Sequence, residues 1–106
     1  MFERPQIGET AVLVHIAFKS ISGSRIDEED ILEFSELARS ARADPVAVIT
    51  GTRPKPEPKY LFGESKAEEI RLVIEQNSAD LVLVNYRLSP AQERNLERLL
   101  CCRVLD

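Results

Sequence analysis

The hydrophobic pattern of this chain changes period in a regular way, and that alternation limits the possible folds more than any other feature. Ala11–Ala17 (AVLVHIA), Pro45–Thr50 (PVAVIT) and Asp80–Asn85 (DLVLVN) are short, β-branched, nearly continuous apolar runs. Such runs are expected of strands covered on both faces. The stretches between them carry helical spacing instead. Asp27 can cap a helix whose first turn holds Glu28, Glu29 and Asp30, where the helix dipole favours negative charge. Ile31, Phe34, Ala38 and Ala41 give that helix one apolar stripe, and Arg39 and Arg42 sit at its end. Ser65 and Glu68 have capping-box spacing for a second helix, with Ala67, Ile70, Val73 and Ile74 inward until Asn77 and Ser78 break the pattern. Ser89-Pro90-Ala91-Gln92 opens a third, with a cap serine, proline at the first helical position and Gln92 closing the box. Ala91, Leu96, Leu99 and Leu100 are expected to face the sheet, while Glu93, Arg94, Glu97 and Arg98 stay wet. Cys101–Leu105 reads as a fourth short strand.

Strands separated by helices pair in parallel through right-handed crossovers. The expected fold is a small doubly wound α/β domain, a parallel sheet of about four strands in the order 2-1-3-4 with helices on both faces. Its 106 residues make one domain, and a chain of that length can bury a core without disulfides. The sequence stops at Asp106, directly at a strand end and without a closing helix, as expected of a domain cut from a longer chain.

Composition excludes several classes. With 18 acidic against 14 basic side chains the formal net charge is -4, which argues against a DNA or RNA binder that works by bulk charge. Any phosphate recognition must be local. No apolar run approaches the ~20 residues of a membrane-spanning helix. Cys101 and Cys102 are adjacent and His15 is the one histidine, so neither a disulfide framework nor a metal-site spacing is present, and a reducing cytoplasm is the expected location. As consecutive strand residues the two cysteines would point to opposite faces of the sheet as ordinary buried thiols. His15 reads as a packed histidine, and the carboxylates near Asp27 and Glu64 are explained by helix starts, so no catalytic residue is assigned.

In open parallel sheets ligands bind beyond the carboxyl ends of the strands, here at Phe18–Ile26, Gly51–Glu64 and Tyr86–Leu88. The second loop, GTRPKPEPKYLFGE, runs about a dozen residues, longer than the ~2–6 usual for such connections. Pro54, Pro56 and Pro58 favour an extended path that holds Arg53, Lys55 and Lys59 outward, with Tyr60 and Phe62 as stacking surfaces: an RNA-phosphate contact arm. A stiff solvated loop with Tyr60 and Phe62 packed on the core fits the same residues equally well. Gly63-Glu64-Ser65-Lys66 places Lys66 just inside a helix start, but the phosphate-binding pattern G-x-x-x-x-G-K-S/T occurs nowhere in the chain. Catalysis by the chain alone is therefore not expected. Arg94 and Asn95 are candidate partner-packing residues on the third helix.

PKYLFGESKAEEI (Pro58–Ile70) and LSPAQERNLERLL (Leu88–Leu100) resemble the amino-terminal domain of HflX, a family of ribosome-associated GTPases. GETAVLVHI (Gly8–Ile16) and VITGTRPKPEPKY (Val48–Tyr60) extend the resemblance over almost the whole chain. It implies a parent protein that continues into a helical hairpin and a P-loop GTP-binding domain, and that binds the large ribosomal subunit and splits stalled or idle ribosomes. GTP and Mg2+ would serve that parent; no cofactor is implied for this chain. Its implied role is docking onto ribosomal RNA or protein, through Arg53, Lys55, Lys59, Tyr60 and Lys66, and packing against its own GTPase domain. The alternative is a nucleotide-binding or RNA-binding domain with its own activity, holding ATP phosphates at the Ser65 helix start or between the first and third strands. Against that, Ser65 stands where the family commonly has a second glycine, and a side chain there limits close approach to a phosphate.

Overall fold

The computed structural model describes residues 9–22 and 27–106. Their chain order is β1 (Thr10–Phe18), α1 (Lys19–Ser22), α2 (Glu28–Ser40), β2 (Asp44–Arg53), α3 (Glu64–Asn77), β3 (Leu81–Val84), α4 (Pro90–Leu100) and β4 (Arg103–Leu105). All pairings are parallel, in the order β2-β1-β3-β4, as the alternating pattern predicted. β1 lies between β2 and β3, and its residues from Ala11 to Phe18 are buried without a break. That is why the run reads as continuous rather than alternating. β2 is an edge strand, where Pro45 forfeits no ladder bond that matters, and the register slips beside it from Ala11↔Pro45 to Val12↔Ala47.

The sheet separates two cores. Val12, Val14, Ile16 and Phe18 point to one side, where α3 and α4 cover them with Ile70, Ile74, Leu96 and Leu100. Ala11 and Leu13 point to the other, joined by Leu81, Leu83 and Leu105 and by Ala38 of α2, with Phe34 packed against them. Asn85, one residue past β3, takes over where the ladder stops. Its backbone N–H donates to Val14 O at 3.1 Å. Its side-chain amide donates to Ile16 O at 3.1 Å and accepts from Ile16 N at 2.9 Å, so that one side chain extends the sheet by a further pairing.

Helix ends follow their sequence signals in two cases of three. Asp27 Oδ1 accepts from Glu29 N at 2.9 Å, and Ser89 and Gln92 form a reciprocal capping box. The box read at Ser65 and Glu68 does not form: α3 starts two residues earlier than that box implies, at Glu64, with Gly63 at φ 89° as its cap residue and no side-chain cap bond. Only glycine enters a helix easily from that backbone conformation, so the turn geometry overrides the serine signal. Three further expectations are corrected. Ala91 is exposed and Gln92 is buried in its place, because the helix phase turns the third position toward the β2–α3 loop. The fourth strand begins at Arg103, since Cys101 closes α4 in the left-handed conformation and is exposed. The first loop is shorter than read, because β1 runs to Phe18 and α1 comes directly after it; Gly23 to Ile26 lie outside the described residues.

Candidate functional site

β2 continues through Gly51 and Thr52 to Arg53, so the loop that joins it to α3 begins at Pro54. It does not project as an extended arm. Glu57 and Leu61 exchange both backbone hydrogen bonds, at 2.7 and 2.9 Å, and close Pro58-Lys59-Tyr60 into a tight antiparallel turn. Leu61 takes φ 65°, an uncommon conformation for a bulky residue, and its buried side chain together with the two bonds offsets that strain. Phe62 is fully buried in the core beneath α3 and α4, so it offers no stacking surface. The proline run thus stiffens a folded turn, and the extended path expected for it is corrected by the Glu57–Leu61 pairing.

α4 holds this turn in place. Gln92 Nε2 donates to Glu57 O at 2.8 Å, and Asn95 Nδ2 donates to Lys59 O at 3.2 Å. Gln92 Oε1 meanwhile accepts from Ser89 N at 2.9 Å, so one buried amide both caps the helix and latches the loop. At the other end, Ser20 N donates to Pro54 O at 3.0 Å. The loop is therefore pinned to α1 and to α4 through its own backbone carbonyls, which leaves the Lys55 and Lys59 side chains to solvent.

The candidate contact residues fall into three groups. Lys55 and Lys59 are exposed; Lys59 Nζ lies 5.2 Å from the centroid of the half-buried Tyr60 ring, and Arg94 is exposed on α4 one residue before Asn95. Arg53 is only half-exposed and pairs with Glu57 at 3.2 Å. Lys66 lies apart. Its side chain is 17% exposed and Nζ turns back to Thr50 O at 3.2 Å and Glu69 Oε1 at 3.0 Å, beside the Gly51 backbone. Asn95 spends its amide donor inside the domain, on Lys59 O. Sequence reasoning missed Gln92 and Glu57. The signal for Gln92 was present, since a capping-box side chain at the third helical position can face an adjacent loop, but its partner is 35 residues away and no local pattern shows it.

The arrangement does not suit a phosphate at the start of α3. A carboxylate oxygen of Glu57 lies 2.6 Å from where a Cβ on Gly63 would stand, Glu64 occupies the first turn, and Lys66 faces β2. The crevice at the carboxyl ends of β1 and β3 is a cavity of about 660 Å3 whose described lining includes Asp30, Glu33 and Asp106 and no lysine or arginine. That charge also repels phosphate. Among the described residues no group of three or more His, Cys, Asp and Glu side chains could hold a metal ion, and no helix is long and apolar enough to cross a membrane. Burial pushes the Cys102 thiol up to about 11, with the Glu97 carboxylate adding to the effect, so it is not a ready nucleophile.

Comparison with known proteins places the chain in a family. Residues 28–106 match the family described as GTP-binding GTPase N-terminal. The GTPase HflX of Escherichia coli K12 is 51% identical over 106 residues, which is 100% of this chain and 24% of that protein. The GTPase HflX of Caldanaerobacter subterraneus is 35% identical over 92% of this chain and 22% of its own length, and that of Thermococcus kodakarensis 33% over 81% and 19%. The chain spans about a quarter or less of the length of these relatives. With a family match over most of its length and relatives that share its full extent, the chain belongs to the HflX GTPase family, as its N-terminal domain.

Proposed function

We propose that this chain is the ribosome-docking and regulatory domain of a longer HflX-like GTPase, and that it supplies contacts while GTP hydrolysis takes place in a separate P-loop domain of the same polypeptide. The parent would bind the large ribosomal subunit in the cytoplasm and split stalled or idle ribosomes, with GTP and Mg2+ held by the P-loop domain. The observation that carries the reading is the latched loop. Lys59 is presented on a turn whose backbone is fixed by Gln92 and Asn95, and Lys55 lies between that turn and the Pro54 carbonyl held by Ser20 N, so little further ordering is needed when a polyanion is met. Arg94, on the helix that supplies the latch, adds a third exposed cation. Arg53 pairs with Glu57 of the loop and supports its shape, whereas Lys66 pairs with Glu69 on α3 and with Thr50 O of β2.

The test uses the full-length protein and purified large subunits over a salt titration. Lys55→Glu and Lys59→Glu together should weaken binding at least tenfold near physiological salt and lower the slope of log K against log salt by about 1 per lost phosphate contact. Lys66→Met should change neither. Unchanged affinity and slope in the double variant would remove the loop from the interface.

A further inference from the structure

The two edges of the sheet are unlike. β4 closes one with the short run Arg103–Leu105, whereas β2 extends along the other from Asp44 to Arg53. Among the described residues no strand pairs with the outer side of β2. Which of its backbone groups face that side follows from β1. Thr10 O accepts from Asp80 N and Val14 O from Asn85 N, so the even-numbered residues of β1 turn their backbone groups toward β3, and the side chains of Val12, Val14 and Ile16 lie in the core beneath α3 and α4. In a parallel sheet every residue with its side chain on that face turns its backbone the same way. On β2 those residues are Ala47 and Ile49, which therefore bond to β1, and Val46, Val48, Thr50 and Thr52 point outward. Thr50 agrees with this: its carbonyl accepts from Lys66 Nζ at 3.2 Å, a side chain standing in for a strand.

A long edge without charges is a template for another strand, and sheets that stay single usually place charge along it. Pro45–Thr52 contains no charged residue, Val48 is 44% exposed, and the register slip lies beside Pro45, before the outward residues begin. Charge stands only at the two ends of the strand and with opposite sign, Asp44 at its start and Arg53 at its close. Such a strand complements itself when turned round. We propose that the β2 edge is a self-association surface, on which a second copy of this chain pairs antiparallel about a two-fold axis at Ile49. Val48 then exchanges both backbone bonds with Thr50 of the second copy, and Val46 with Thr52, while Asp44 comes within one residue of Arg53 across the seam. A parallel arrangement would instead set like charges side by side at both ends. The two sheets become one of twice the width, with their latched loops at opposite ends. Lys66 has to release Thr50 O for this, keeping Glu69 as its partner, so the association is weak and depends on concentration. The inference goes beyond the docking function and does not depend on it.

Sedimentation velocity on the full-length protein tests this. From about 1 to about 200 µM the weight-average coefficient should rise from monomer toward dimer and no further, because a two-fold pairing uses up the edge. Val48→Lys puts a cation on each side of the seam and should weaken the dimer at least tenfold while circular dichroism stays unchanged. Asp44→Lys should weaken it severalfold at low salt and by less at high salt. With Cys101 and Cys102 replaced by serine, a short bismaleimide should couple Val48→Cys chains at least tenfold faster than Leu72→Cys chains, although Leu72 is 52% exposed on α3. A monomer over the whole range overturns the proposal. Association that Val48→Lys leaves intact, or coupling as fast at Leu72 as at Val48, overturns the β2 edge as its seat. Growth past the dimer overturns the two-fold closure, and indifference to Asp44→Lys overturns the antiparallel register.

Discussion

Replacing Gln92 separates helix capping from loop latching. Its amide makes two bonds, Nε2 to Glu57 O at 2.8 Å and Oε1 from Ser89 N at 2.9 Å, and the side chain is buried. Gln92→Ala removes both. Each is worth about 0.5–1.5 kcal/mol net, and Glu57 O keeps its bond from Leu61 N, so the expected loss is about 2 kcal/mol rather than the larger penalty of an orphaned carbonyl. For a domain of about 100 residues that lowers Tm by roughly 8–16 °C. Gln92→Glu is the more informative variant. A serine with glutamate three residues later is as good a capping box as one with glutamine, so a helix-only account predicts no change. The latch predicts a loss at least as large as that of alanine at pH 7, because a carboxylate cannot donate to Glu57 O and is instead buried against it. The introduced carboxyl should have a folded pKa above its unfolded value, about 4.3, so stability is retained below that value and lost as pH rises through the folded one. Urea unfolding read by circular dichroism at pH 4 and pH 7, with hydrogen exchange at the Leu61 amide, measures both effects. Gln92→Glu within about 0.5 kcal/mol of the parent at pH 7, with Leu61 exchange unchanged, would refute the latch.

Four other outcomes rest on the same structure. Gly63→Ala should destabilise by about 2 kcal/mol, since φ 89° and ψ 160° suit only glycine and the added Cβ meets Glu57 Oε2 at 2.6 Å; unfolding midpoints check it, and no loss would mean the turn relaxes freely. Asn85→Ala should cost about 1–3 kcal/mol and speed exchange of the Ile16 amide, which loses its acceptor, whereas amides within β2 stay protected. Cys101, exposed at the end of α4, should react with a thiol reagent at pH 7 well before Cys102, and equal rates would contradict the burial. For Cys102 the thiol is raised from 9.0 to about 11 by burial, so its contribution to stability is whole below about 9 and is lost as pH rises through about 11. Denaturation midpoints of the parent and Cys102→Ala should therefore converge across that range.

Most of the fold was legible because it rests on period. Buried parallel strands and one-sided helices write different repeats into the sequence, and short connections leave few orders in which β1 can lie central. The cap at Asp27 and the box at Ser89 were legible because their donors and acceptors lie within three residues. The path of the β2–α3 loop was not, although one of its two readings did place Phe62 on the core. Its prolines favour an extended path locally, and the forces that override them are nonlocal: the pairing of Glu57 with Leu61, the burial of Phe62, and two amides from a helix more than 30 residues away. Ser65 misled for the opposite reason. Its capping signal was local and sound, but the turn at Gly63 had already fixed where the helix begins.

The net charge of -4 loses its force as an argument against a polyanionic partner once the charges are placed. The latched loop joins the core beneath α3 and α4 through Leu61 and Phe62, whereas the acidic cavity opens against the core beneath α2 through Phe34 and Ala38. Two layers on opposite sides of a sheet stand about 10 Å from it on either hand, roughly 20 Å apart, and the Debye length at physiological salt is about 8 Å. The two fields are therefore largely screened from one another. Under the docking function proposed above, Lys55 and Lys59 would meet phosphate on one side while Asp30 and Glu33 line the cavity on the other, and the acidic total constrains neither. A sheet covered on both faces makes that segregation possible, because each face receives its own helices and with them its own charges.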